Sequence, residues 1–115
     1  MESTAAIDAC AALAQPTRLE AFRRLVRAGP EGLPAGGVAQ ALGVPANTMS
    51  THLAILERAG LVASRREGRL VYYSAALDQV RALIGFLLED CCAGNPDVCD
   101  AVAIFARDAA ACCGR

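Results

Sequence analysis

A mainly helical domain carrying one small β-hairpin is the fold class the sequence predicts, and three observations predict it. Apolar residues recur at helical spacing in several segments along the chain. A helix with a polar N-terminal face follows the turn Gly43-Val44-Pro45 and stops at Gly60. Two extended runs then flank Glu67-Gly68, with Arg65, Arg66 and Arg69 gathered around that turn. Short helix, glycine turn, polar-faced helix, glycine stop and arginine-tipped hairpin, in that order, define a winged helix-turn-helix. A helical bundle with a decorative hairpin shares single parts of this pattern but not the order.

Each element has a local reason. Residues 4–14 are alanine-rich, with Ile7, Cys10, Leu13 and Ala14 on one face of a first helix. Pro16 suits the first turn of a second helix, in which Leu19, Phe22, Leu25 and Val26 make an apolar stripe and Gly29-Pro30 ends the pattern. Residues 33–42 read as a short helix weakened by Gly36 and Gly37 and terminated by Gly43. The next helix, residues 46–59, turns Met49, Leu53, Ile55 and Leu56 inward.

That helix exposes Asn47, Thr48, Ser50 and Thr51, joined by His52, at its N-terminal end. In helix-turn-helix proteins this end of the second helix meets base edges in the major groove, where short polar side chains donate and accept hydrogen bonds. For His52, packing or capping within the motif stands beside base contact as a reading. Residues 61–74 form the wing, whose Arg65, Arg66 and Arg69 are placed to grip phosphate or enter a minor groove. Residues 76–115 make up a dimerisation and sensor region. Within it a helix over residues 76–89 carries Leu77, Val80, Leu83, Ile84, Leu87 and Leu88 as an interface stripe, which Cys91 and Cys92 extend. Gly94 ends this helix, and Asn95-Pro96 begins another with Asp97, Cys99 and Asp100 near its start.

The 115 residues make one domain, residues 1–115, with room for a single core that hides about two-thirds of the unfolded surface. An apolar fraction of 55% with 4% aromatics and no Trp exceeds what such a core hides, so a homodimer is the expected state. The net charge of -1 argues against indiscriminate nucleic-acid binding, yet the charge is uneven. Residues 1–70 hold 8 Arg against 6 acids, and residues 71–115 hold 3 Arg against 6 acids. Every basic side chain is Arg, which suits forked phosphate contacts and equally suits a base-composition bias in the genome. The N-terminus has no basic, apolar leader pattern, and the longest apolar run, residues 82–88, is too short to span a bilayer. A cytoplasmic protein with reduced thiols is therefore expected, with no membrane partner, and the 6 Cys are not read as a disulfide framework.

The chain resembles the ArsR/SmtB family of dimeric winged-helix metal-responsive repressors. The residues that carry the resemblance are Gln15-Pro16-Thr17-Arg18-Leu19, Val38-Ala39, Leu42-Gly43, Met49-Ser50-Thr51-His52-Leu53 with Leu56, Ala59-Gly60-Leu61-Val62, and Arg66-Glu67-Gly68-Arg69 before Tyr72-Tyr73. The resemblance implies a dimer built by the first and last helices, with two recognition helices in successive major grooves of double-stranded operator DNA. It implies base contact by Asn47, Thr48, Ser50 and Thr51. Two family sensor sites are missing. The segment before the recognition helix, Leu33-Pro34-Ala35-Gly36-Gly37-Val38, has no Cys-x-Cys, and a single His leaves no Asp/His zinc set after the wing.

Cys91, Cys92 and Cys99 point instead to a three-thiolate site. A chain reversal at Gly94 brings Cys99 back towards the other two, and a helix N-terminus lowers the pKa of a nearby thiol. Three sulfurs suit a three-coordinate ion such as As(III), or Sb(III), whereas Zn(II) requires a fourth ligand. The bland alternative is that these cysteines are small buried hydrophobes. Cys112 and Cys113 lie about 20 Å further along a continuous helix. They form a second site with Cys10, cross to a partner subunit, or make a reactive tail.

The sequence therefore predicts a transcriptional repressor released from operator DNA by As(III) as inducer, with no organic cofactor. Two rivals remain: a repressor sensing thiol redox or methylated arsenicals, and a metal-buffering protein that does not bind DNA. Catalysis is not expected, because no nucleophile has a partnered base and no glycine-rich phosphate cradle occurs.

Overall fold

The computed structural model describes residues 1–88, and over that span five helices and three short strands follow one another. They are α1 (Ser3–Leu13), α2 (Pro16–Ala28), β1 (Leu33–Pro34), α3 (Ala35–Leu42), α4 (Ala46–Arg58), β2 (Val62–Glu67), β3 (Leu70–Ala75) and α5 (Leu77–Leu87). Pro16 opens α2, and the Gln15 side chain accepts the Arg18 backbone N–H at 2.7 Å, satisfying one of the donors a helix start leaves free. Gly43 closes α3, and Val44 N–H returns to the Ala39 carbonyl at 3.0 Å. After α4 the Leu61 N–H bonds the Leu56 carbonyl at 3.0 Å, and Ala76 N–H bonds the Leu61 carbonyl at 2.8 Å, closing the base of the wing.

The helix expected over residues 33–42 starts two residues late. Leu33 and Pro34 are instead an edge strand, paired antiparallel with Tyr73 and Tyr72, so the sheet has the order β1-β3-β2. The cause is Pro34: a residue before proline is pushed out of the helical region, and a residue without an N–H fits a sheet edge. Gly32 makes the junction. It holds φ +74°, and a Cβ there would collide with the Tyr73 carbonyl oxygen. In the β2–β3 hairpin, Glu67 pairs with Leu70 across the turn containing Gly68 at φ +63°, as the sequence predicts.

The core is drawn from every helix. Leu25, Val38, Met49, Leu53, Leu56 and Leu61 are its largest fully buried side chains, and Leu83 joins it from α5. On α1 the buried face is Ala6, Ala9 and Ala12, small residues that let α1 sit close to its neighbours. Ile7 and Cys10, expected to mark the helix's apolar face, are exposed. Among the described residues no helix is long and apolar enough to cross a membrane.

Candidate nucleic-acid interface

Helix α4 presents its polar residues as the sequence predicts. Met49, Leu53 and Leu56 are buried, which leaves Asn47, Thr48, Ser50 and Thr51 exposed at the N-terminal end. Two local hydrogen bonds order this end: Thr48 N–H donates to Asn47 Oδ1 at 2.9 Å, and Thr51 Oγ1 donates to the Asn47 carbonyl at 3.2 Å. Ser50 has no comparable bond among the described residues. Four short donors and acceptors on an exposed helix start are the chemistry that base edges require.

His52 differs from its neighbours. It is half-buried, and its Nδ1 lies 3.5 Å from Arg18 Nη1, so one edge of the ring faces the protein.

The wing is tied to α4. Ser64 Oγ donates to Glu57 Oε2 at 2.6 Å, joining β2 to the last turn of α4. On the same side of the hairpin, Tyr73 stands across from Ser64. Burial pushes the Tyr73 phenol above its ordinary value of 10.0, and the Glu57 carboxylate pushes in the same direction.

The three wing arginines are not equivalent. Arg65 Nε is 2.7 Å from Glu67 Oε2, and the guanidinium lies 4.8 Å from the centre of the Tyr72 ring, its cross-strand neighbour. Its charge is already engaged. Arg66 and Arg69 are exposed and have no acidic partner within 4.0 Å among the described residues. The free basic tip is therefore a pair of arginines, where the sequence predicts three.

Two features lay beyond the sequence reading. The Glu57–Ser64 bond joins residues that are unremarkable in the sequence. Arg18, quoted only as part of a motif, reaches from α2 to the Ala12 carbonyl at 2.6 Å and on to His52. The cysteines Cys91, Cys92, Cys99, Cys112 and Cys113 lie outside the described residues, as does the end of the sensor region. Cys10 lies on α1 in an apolar groove of about 550 Å³ that includes Ile7, Phe86 and Leu87.

A helix-turn-helix domain family matches residues 13–65, which run from the end of α1 to the middle of β2. The nodulation protein NolR of Rhizobium meliloti is 34% identical over 76 residues, or 66% of this chain, and the chain spans only 60% of that relative's length. HlyU from Vibrio cholerae is 31% identical, with a TM-score of 0.62 over 77% of this chain and 96% of that one. The homodimeric winged helix-turn-helix DNA-binding domain of Mb0332 from Mycobacterium bovis, described as a candidate ArsR-family regulator, is 29% identical. It superposes with a TM-score of 0.61 over 76% of this chain and 81% of that one. The protein is thus a winged helix-turn-helix transcriptional regulator by class. More particularly, the chain belongs to the ArsR family, whose members are DNA-binding regulators and not enzymes.

Proposed function

We propose that the protein is a cytoplasmic homodimeric repressor that occupies operator DNA when its thiols are free and leaves it when As(III), or Sb(III), binds Cys91, Cys92 and Cys99. The observation that carries the DNA half is the pairing of an exposed polar helix start with a basic wing tip held to the same helix by the 2.6 Å Ser64–Glu57 bond. Asn47, Thr48, Ser50 and Thr51 read bases, while Arg66 and Arg69 hold phosphate.

Support for the dimer comes from α1 and α5. Ile7 is 66% exposed, Leu87 61% and Leu77 50%, and Ile7 and Leu87 share the groove between the two helices. A second copy placing its own α1 and α5 there removes this surface from water. The similar Mb0332 domain is itself homodimeric.

The thiol half rests on the sequence: two adjacent cysteines and a third seven residues beyond the second offer three soft donors, the set a trivalent pnictogen prefers. Because the thiols follow α5 directly in the chain, a ligand held there biases the geometry of the dimer helices. A 100-fold loss of operator affinity requires a coupling of only about 2.7 kcal/mol. The test is substitution. Cys91→Ser and Cys92→Ser should each keep operator binding and lose release by arsenite; normal release in both single variants would overturn the site.

A further inference from the structure

We propose that Arg18 is a positioning residue for operator recognition, bracing the recognition helix against the end of α1 through His52 and fixing the tautomer of that imidazole. The inference rests on the DNA-binding reading above.

Arg18 sits in the first turn of α2, where its own N–H is held by Gln15 Oε1 at 2.7 Å. Its Nε donates to the Ala12 carbonyl at 2.6 Å. Ala12 belongs to the last turn of α1, where carbonyls lack helical partners and a cation is favoured. From that anchor Nη1 reaches to 3.5 Å from His52 Nδ1 on α4. One residue therefore links three helices: its backbone lies in the first turn of α2, and its planar guanidinium reaches the end of α1 and His52 on α4. The side chain also lines a cleft of about 320 Å³ with Asp8, Ile55 and Arg58, so it bridges a gap that direct packing of α1 on α4 leaves open.

Two consequences follow from chemistry. A guanidinium only donates hydrogen bonds, so the ring nitrogen facing it acts as acceptor and the neutral imidazole carries its proton on Nε2. His52 is then a fixed donor on its other edge, one turn after Thr48 and next to Thr51. In addition, α1 carries the exposed Ile7 and Cys10, so a shift of α1 in the dimer displaces the Ala12 anchor and, through Arg18, the recognition helix. The brace is a physical route from the subunit interface to the DNA-reading face.

The experiment uses the full reduced chain on DNA from its own upstream region. Arg18→Met should weaken binding about tenfold, and Arg18→Lys should not restore it, because a single ammonium on a shorter reach does not span Ala12 and His52. His52→Ala should cost a similar factor, and the double variant no more than the worse single, since both remove one contact. Multiplicative losses, or unchanged binding by Arg18→Met, would overturn the proposal. A second measurement needs no DNA: the imidazole 15N resonances of the wild type should show Nδ1 unprotonated and Nε2 protonated, and should move in Arg18→Met. A ring protonated on Nδ1 would overturn the brace whatever the DNA result. Failure of the wild type to bind operator DNA would instead count against the functional reading, with the resonances still deciding the contact.

Discussion

The inequality among the wing arginines makes a quantitative prediction about salt. Arg66 and Arg69 are the exposed wing cations with no acidic partner among the described residues, whereas Arg65 is held by Glu67 at 2.7 Å and covers the Tyr72 ring. Each phosphate contact adds about 0.9 to the slope of log affinity against log salt. A dimer presents two copies of the pair, so Arg66→Ala/Arg69→Ala should reduce the slope by between about 3 and 4. Over a fourfold rise in salt, the variant then loses about 100-fold less affinity than the wild type does. Arg65→Ala, removing a charge already engaged within the protein, should change the slope by less than about one contact per protomer. Fluorescence anisotropy on a labelled operator at four or five salt concentrations measures all three slopes. An unchanged slope in the double variant, or an Arg65→Ala effect as large per arginine as that of the pair, would refute the assignment.

Other expectations follow from the packing. Gly32→Ala drives a methyl group into the Tyr73 carbonyl at φ +74°, and should lower stability by about 2 kcal/mol or more, seen as a fall in Tm of about 8 °C or more. Gly29→Ala, at φ +81° with nothing within 4 Å, should cost clearly less, and equal losses would contradict the close approach at β1. Ile7→Glu places a charge on the exposed face of α1; if burying each isoleucine contributes about 1.5–3 kcal/mol, a symmetric pair loses enough to weaken dimerisation by at least about 100-fold. Sedimentation equilibrium reads that change, and an unaltered dimer would place the interface elsewhere. The raised phenol of Tyr73 favours the neutral form in the folded state. Its contribution is complete below pH 10.0 and is lost as pH rises through the folded-state value, so Tyr73→Phe should flatten the alkaline decline of stability in denaturant titrations.

Much of this architecture was legible because local signals and tertiary packing agree. Pro16, Gly43 and Gly60 mark helix ends that the structure reproduces, and the period of Met49, Leu53 and Leu56 selects the face that leaves Asn47, Thr48, Ser50 and Thr51 outward. The strand Leu33–Pro34 carries no legible period, because two residues are too short for one; the restriction that Pro34 imposes on Leu33 is the signal the sequence holds. On α1 hydrophobicity misled: the helical pattern selects Ile7 and Cys10 for packing, but close approach of helices selects the alanine face, and the larger side chains are left exposed. The contacts of Arg18 with His52 and of Glu57 with Ser64 span 34 and 7 residues, which no local spacing encodes.

The central claim is that the protein is a repressor whose hold on DNA is set by trivalent arsenic at Cys91, Cys92 and Cys99. Its most direct test is an anisotropy titration of the reduced wild-type protein on its own upstream DNA with arsenite, run in parallel with zinc and with peroxide. The account predicts release at near-stoichiometric arsenite and none with zinc or peroxide. Tight binding indifferent to arsenite, or release by peroxide alone, would contradict it.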